Sequence, residues 1–334
     1  MAEIAPWTAC RYGIGDEALH DPAGQALYNE SVYFNFVTGE RDGLLGGILR
    51  IGLRPQDGYS ELSLNLPLGD GSTVFLYERE ELDPSGFEVG SPRWRCAGMR
   101  LEAIEPTRRW ELVYEGTRPR RVRDGARFGE EPGATLKSSE SCPVALTLEF
   151  TARYPMHALS ESGDIVPGGG APFARDHYEQ FGTVAGTVEV AGQRFTLAGA
   201  GFRDHSWGPR DWQSTPHTDF TTLLTADGSA IVAFSARLDG RESMHGVRWT
   251  EGGLERLTGF RVLSDYAGEV RISPSLAVVF EFPDEQLHYD ASVMAFLPLR
   301  HRSGERTVRI GQTLLGFSGP GGPASGWSDF TRQA

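Results

Sequence analysis

The sequence predicts an all-β fold of two barrel-like halves. Three observations carry that expectation. Apolar and polar residues alternate over many short runs. Turn-forming pairs recur between these runs. Glycine and proline are abundant, at 42 and 20 of the 334 residues. Period two with one apolar face marks half-buried antiparallel strands, and so much Gly and Pro favours turns over long helices.

Along the chain, Asp16–Leu27 is the one candidate for a short helix. Asn29-Glu30-Ser31-Val32-Tyr33-Phe34-Asn35-Phe36 then reads as a strand opening the first half. Leu49–Arg54 and Glu61–Leu66 alternate strictly. So do Trp110, Leu112 and Tyr114 against Arg109 and Glu111, and Leu146, Leu148 and Phe150 against Thr147 and Glu149. The charged, Gly-rich stretch Arg118–Ser141 reads as an excursion loop. Ser160–Ala171, with Gly168, Gly169 and Gly170 between Pro167 and Pro172, reads as a linker or pocket rim. It divides an N-terminal half, 1–160, from a C-terminal half, 171–334. In the second half Asp227-Gly228, Asp239-Gly240 and Gly252-Gly253 sit between strand-like runs and supply the positive φ of tight hairpins. Strands that follow one another so closely form a meander, and a long meander tends to close because closure removes its edges.

Composition narrows the function. With 39% apolar and 10% aromatic residues the chain is globular. The net charge of -13 leaves no basic footprint for nucleic acid and opposes docking on anionic lipid. The cluster Arg118, Arg120, Arg121 and Arg123 is closely followed by acids and reads as a solvated loop. The N-terminus lacks a charged-then-apolar signal, and no stretch is long and apolar enough to span a bilayer. Cys10, Cys96 and Cys142 are odd in number and widely spaced, which points to neither a disulfide framework nor a metal knuckle. A reducing cytoplasm is the expected location.

The segment richest in chemistry is Gly201-Phe202-Arg203-Asp204-His205-Ser206-Trp207-Gly208-Pro209-Arg210-Asp211-Trp212. If the strand period holds, Arg203, His205 and Trp207 share one side and Asp204 and Ser206 the other. Carboxylate, imidazole and guanidinium together can hold a proton donor at a chosen pKa. The plain alternative is a structural corner, with Arg203–Asp204 and Arg210–Asp211 ion pairs and tryptophans filling core; for Asp211 that role is favoured. Two further segments are candidates to converge here. In the opening strand, Glu30, Val32, Phe34 and Phe36 face one way and Ser31, Tyr33 and Asn35 the other, as a pocket lining or an outer face. His177-Tyr178-Glu179-Gln180 follows the linker, as a site segment or an ordinary edge strand. His20, His157, His217, His245, His288 and His301 are scattered without His-x-x-x-His spacing, so no metal site is expected. There is no phosphate loop, dinucleotide fingerprint or Gly-x-Ser-x-Gly elbow.

The Gly-x-Arg-Asp-His-Ser-Trp-Gly-x-Arg-Asp-Trp run resembles the hallmark of proteins related to carotenoid 1,2-hydratases (hydroxyneurosporene synthase-like). That superfamily is similar to tocopherol cyclases and Diels–Alderases. The early Glu-Ser-x-Tyr-Phe-Asn-Phe also looks like it. The resemblance implies two lipocalin-like antiparallel β-barrels in tandem, a pocket for a hydrophobic small molecule and no metal or organic cofactor. His205 and Trp207 match the imidazole and indole of Asp-His-x-Trp. The Tyr and Asp that hydratases carry on the following strand are missing from Ile231–Ala236, a departure that bears on carotenoid hydration and leaves the fold untouched.

The expected function is a cofactor-independent lyase, isomerase or cyclase of secondary metabolism, acting on a terpenoid, polyketide or aromatic molecule. Asp204, His205, Arg203 and Glu30 are the candidate catalytic residues. Tyr33, Asn35, Tyr178, Trp207, Arg210 and Trp212 are the candidate substrate-binding residues. His205 is expected to face the ligand beside Trp207, with Asp204 paired to Arg203 or Arg210. The rival readings are a non-catalytic lipid or isoprenoid carrier and an interaction scaffold. Monomer and homodimer both stay open.

Overall fold

The computed structural model describes residues 10–82, 87–158, 176–210, 217–225, 227–238, 240–264, 272–303 and 306–333. It is 66% strand and 6% helix, all-β as the alternation requires. Two compact units divide the described residues. One takes those within Met1–Arg121, Ser139–Gly163 and Ala174–Arg210; the other takes those within Val122–Ser138, Asp164–Phe173 and Asp211–Ala334.

The first unit holds β1 (Tyr28–Val37), β2 (Gly46–Arg54), β3 (Tyr59–Pro67), β4 (Thr73–Glu81), β5 (Arg93–Cys96), β6 (Met99–Glu105) and β7 (Arg109–Gly116). They are followed by β8 (Arg120–Val122), β9 (Val144–Ala152), β10 (His157–Ala158), β11 (Asp176–Val190) and β12 (Gln193–Pro209). Their sheet runs β5-β6-β7-β9-β11-β12-β1-β2-β3-β4-β8, with β10 on β11. It curls, because contacts join its distant strands: the Ser60 hydroxyl donates to Cys96 Sγ at 3.3 Å and the Ala97 N–H to Glu80 Oε2 at 2.7 Å. Inside the curl Val32, Phe34, Leu49, Ile51, Leu64, Trp94, Trp110 and Phe150 form one fully buried cluster. Each such side chain contributes about 1.5–3 kcal/mol by leaving water.

The second unit holds β13 (His217–Thr225), β14 (Ala230–Leu238), β15 (Arg241–Thr250), β16 (Gly253–Arg256), β17 (Gly259–Leu263), β18 (Ser275–Glu281), β19 (Gln286–Ser303), β20 (Arg306–Ser318) and β21 (Ala324–Gln333). They form the expected meander, β16-β15-β14-β13-β21-β20-β19-β18-β17, curled so that β17 lies against β14 and β15. Leu223, Ile231, Val278, Phe280, Leu315 and Phe330 fill it. The architecture is thus two curled antiparallel sheets in tandem, lipocalin-like. Among the described residues no helix is long and apolar enough to cross a membrane.

Three local expectations change. The predicted helix in Asp16–Leu27 shrinks to a 3-10 turn, Ile14–Glu17, because Ala23, Gly24 and Leu27 take positive φ and no helix tolerates them. Arg118–Ser141 is more than a loop: it carries β8 and two short helices, α1 (Gly125–Glu130), capped by the Asp124 carboxylate on the Arg127 N–H, and α2 (Pro132–Ser138). The expected boundary at Ser160–Ala171 lies outside the described residues. The β11–β12 hairpin, placed by sequence in the C-terminal half, belongs to the first sheet, where β11 pairs with β9 and β12 with β1. Strand adjacency along the chain misled here, because curling brings β12 back to the first strand.

Candidate active site on the polar face of the first sheet

The strand period holds through the central segment, so β12 presents two chemistries on opposite faces. Cross-strand partners share a face. Toward the core, the row Tyr178–His205–Val32–Ile51 lies beside Gln180–Arg203–Phe34–Leu49 and Trp207–Glu30–Leu53. On the other face the row is Glu179–Asp204–Tyr33–Arg50–Ser63–Tyr77. One neighbouring row there is His177–Ser206–Ser31–Gly52–Glu61, and another begins Phe181–Phe202–Asn35.

The charged core-side groups are engaged by several partners, although Trp94 Nε1 beside His205 has none among the described residues. Arg203, wholly buried, donates through Nη2 to Glu17 Oε1 at 2.7 Å and through Nε to Gln180 Oε1 at 2.8 Å. Glu17 also accepts from the Tyr178 hydroxyl at 2.5 Å, Trp110 Nε1 at 2.9 Å and the Thr107 N–H at 3.1 Å. Burial opposes the Glu17 charge, but Arg203 and these donors outweigh it and lower its pKa. Glu30 is equally engaged. Its Oε1 meets His20 Nδ1 at 2.8 Å and His205 Nε2 at 3.0 Å, and its Oε2 accepts from the Tyr28 hydroxyl at 3.0 Å. His205 Nδ1 lies 2.9 Å from the Asp16 carbonyl, and His20 stacks on Trp207 at 3.9 Å. Burial disfavours a charged His20, yet Glu30 and Asp16 raise its pKa. His20, Glu30 and His205 could hold a metal ion, their donor atoms all lying within 4.8 Å of one another; hydrogen bonds already account for their closeness. Three separate segments supply them, which is why no local spacing announced the cluster.

The opposite face is built differently. Glu179 is wholly buried, with Oε2 3.1 Å from His157 Nε2. Its Oε1 and His177 Nε2 face each other at 3.7 Å, and His177 Nε2 lies 3.9 Å from Asp204 Oδ1. These separations exceed a hydrogen bond, and both Glu179 Oε1 and His177 Nε2 lack a hydrogen-bond partner among the described residues. So do both amide atoms of Asn29, Nη2 of Arg50 and Nε of Arg54. Buried polar atoms are normally paired, so this concentration of open valences on one face marks a place for a ligand. Burial pushes the Glu179 carboxyl up to about 8. Burial and then the charge of Glu179 push Asp204 up to about 7, against the pull of Arg210, Arg50 and Arg203. Burial and neighbouring positive charge hold His177 down at about 3. The face therefore carries two carboxyls able to keep a proton near neutral pH beside a neutral imidazole.

The predicted site residues are thus split. Glu30, Tyr178, Arg203, His205 and Trp207 come together on the core side. Asp204, Tyr33, Asn35 and Arg210 share the polar face, where Arg210 Nη2 donates to Ser206 Oγ at 2.9 Å. Trp212 lies outside the described residues. The expected Arg203–Asp204 pairing is corrected: the two side chains point to opposite faces, and the carboxylate of Arg203 is Glu17. Glu179, His157, Arg50, Glu17 and His20 were not chosen from the sequence. For Glu179 a signal existed in the hairpin turn Ala191-Gly192, closed by Val190 and Gln193. Counting outward from that turn puts Glu179 opposite Asp204.

The family model described as "Domain of unknown function (DUF7064)" matches residues 13–334. The chain belongs to this family. No curated protein sequence matches this DUF7064 chain. Among solved structures it is similar to an AttH-like protein from Nitrosomonas europaea, at 15% identity and a TM-score of 0.68, covering 99% of each chain. It is similar to CghA crystallised with Sch210972, at 11% identity and 0.60, covering 91% of this chain and 88% of that one. It is also similar to kievitone hydratase from Nectria haematococca, at 10% identity and 0.57, covering 96% and 91%. These likenesses show that the DUF7064 chain shares its fold with these structures.

Proposed function

We propose that the protein is an enzyme acting on a hydrophobic small molecule by proton transfer, with Glu179 and Asp204 as the acid–base pair. The observation that carries this reading is the cross-strand pairing of these two carboxyls on a face with open polar valences. Carboxyls that keep their protons up to about 8 and about 7 can divide the work near neutral pH, one acting as acid and the other, once ionised, as base. Proton delivery to an alkene or carbonyl carbon–oxygen system generates a cation. Loss of another proton to the ionised carboxyl then gives isomerisation; capture by water followed by that proton loss gives hydration, and capture by an internal alkene followed by it gives cyclisation. The protein's own groups are enough for each. Tyr33, whose hydroxyl accepts from Asn35 Nδ2 at 3.3 Å, and the aromatic pair Phe181–Phe202 at 5.0 Å would orient the substrate. A fold-neighbour named as a hydratase supports the lyase branch.

The test is incubation with terpenoid, polyketide and prenylated aromatic compounds, kievitone first, in deuterated water. Mass spectrometry then reads deuterium gained by product or recovered substrate. A carrier of the same fold would bind such compounds and leave their hydrogens unexchanged.

A further inference from the structure

We propose that His20, Glu30 and His205 form a binding site for one divalent transition-metal ion, zinc by the character of its donors. The site lies on the core side of the first sheet, across β12 from the Glu179–Asp204 pair, and stands independently of the acid–base reading. It reverses the expectation of no metal drawn from histidine spacing, because the three ligands come from separate segments of the chain.

The geometry is close to what zinc requires. Glu30 Oε1 lies 2.8 Å from His20 Nδ1 and 3.0 Å from His205 Nε2, and the three donor atoms all lie within 4.8 Å of one another. A tetrahedral zinc ion with bonds of about 2.0–2.1 Å sets its donors about 3.3 Å apart. The two carboxylate–imidazole gaps therefore need to open by only about half an ångström or less to admit it. Two imidazoles and one carboxylate are a known donor set for zinc with an open fourth position. Calcium and magnesium take oxygen ligands instead.

The ring hydrogens point the same way. His205 Nδ1 lies 2.9 Å from the Asp16 carbonyl, which can only accept, and 3.1 Å from the Tyr178 hydroxyl, whose hydrogen goes to Glu17. Nδ1 therefore carries the N–H, and a neutral His205 has its lone pair on Nε2. That lone pair faces the Glu30 carboxylate oxygen at 3.0 Å, acceptor against acceptor. A second proton would relieve the contact only by making a wholly buried imidazolium. A metal ion relieves it and uses the lone pair as a ligand.

Each ligand is also held on its far side, as metal ligands usually are. His205 Nδ1 donates to the Asp16 carbonyl. Glu30 Oε2 accepts from the Tyr28 hydroxyl at 3.0 Å and from the His20 backbone N–H at 3.1 Å. His20 Nε2 lies 3.5 Å from Asp16 Oδ1, and Trp207 stacks on the ring at 3.9 Å. Trp94 stands T-shaped to His205 at 5.3 Å, and its buried Nε1 lacks a hydrogen-bond partner among the described residues. A water or hydroxide in the fourth position is an acceptor of the kind that this donor lacks. The Glu30 and His205 side chains are 0% exposed and His20 is 22% exposed, so the ion enters past His20. Once bound, it pins the irregular segment carrying Asp16 and His20 to β1 and β12.

The test uses the full chain without a histidine tag, stripped with EDTA, then titrated with zinc chloride by calorimetry and with cobalt chloride by absorption and proton NMR. One equivalent of zinc should bind with a Kd of about 1 μM or tighter and raise the melting temperature by several degrees. Cobalt should give the strong visible absorption of a tetrahedral site and paramagnetically shifted signals from two histidine rings. His20→Ala, at the partly exposed ligand, should weaken zinc binding by about a hundredfold or more, while Glu179→Gln should bind zinc as the unmodified protein does. Absence of stoichiometric zinc binding in the unmodified protein overturns the inference without any need for a variant and leaves a buried imidazolium in its place. So does a cobalt complex that shifts no histidine ring, or zinc binding that His20→Ala leaves undiminished.

Discussion

Glu179 stands directly across the β11–β12 pair from Asp204, and His177 Nε2 lies within 4 Å of a carboxylate oxygen of each, at 3.7 and 3.9 Å. Burial first, and for Asp204 also the neighbouring Glu179, makes ionisation of these two carboxyls costly. The proton they retain is the property from which the functional reading follows.

That proton makes stability depend on pH. Burial raises Glu179 to about 8 from an ordinary 4.5. A raised carboxyl contributes stability that is complete below the unfolded pKa. It is lost as pH climbs toward the folded one, because the unfolded chain ionises first. The protein should lose stability between about pH 5 and 8 relative to Glu179→Gln, whose amide cannot ionise. Urea midpoints of the two proteins across that range check this; parallel curves would contradict it.

The Arg203–Glu17 pair is a structural brace. Arg203→Met leaves the Glu17 carboxylate buried without its cation and should cost about 3–5 kcal/mol. Adding Glu17→Gln removes the stranded charge, so the double variant should be more stable than Arg203→Met alone. Denaturant titrations of the three proteins decide it.

His205 belongs to the same core-side network. His205→Ala removes partners from Glu30 and from the Asp16 carbonyl and should lower stability by about 1–3 kcal/mol. Proton-exchange activity per folded molecule should persist. Full loss of exchange in a well-folded His205→Ala would return the catalytic role to the core side.

Much of this was legible in the sequence. Period two assigned Arg203, His205 and Trp207 to one face and Asp204 and Ser206 to the other. It divided Glu30, Val32, Phe34 and Phe36 from Ser31, Tyr33 and Asn35 in the same way, and the structure keeps both divisions. Alternation says which residues share a side but not which side holds the core or which strand lies alongside. The face of His205 was therefore expected to meet the ligand, whereas the structure turns it toward Glu30 and the Asp16 carbonyl and leaves Asp204 on the open face. Glu17 and His20 were out of reach for another reason. They come from an irregular segment without periodicity, and only its docking against β1, β7, β11 and β12 gives them partners.

The central claim is that the Glu179–Asp204 pair moves a proton onto or off a bound small molecule. Deuterium transfer from heavy water, followed by mass spectrometry across the compound panel, tests it most directly. The unmodified protein should add a solvent deuteron to at least one compound. Glu179→Gln and Asp204→Asn should each reduce the rate by about a hundredfold or more, with folding and binding retained. Exchange at an undiminished rate in both variants would contradict the assignment, and binding without any exchange in the unmodified protein would identify a carrier instead.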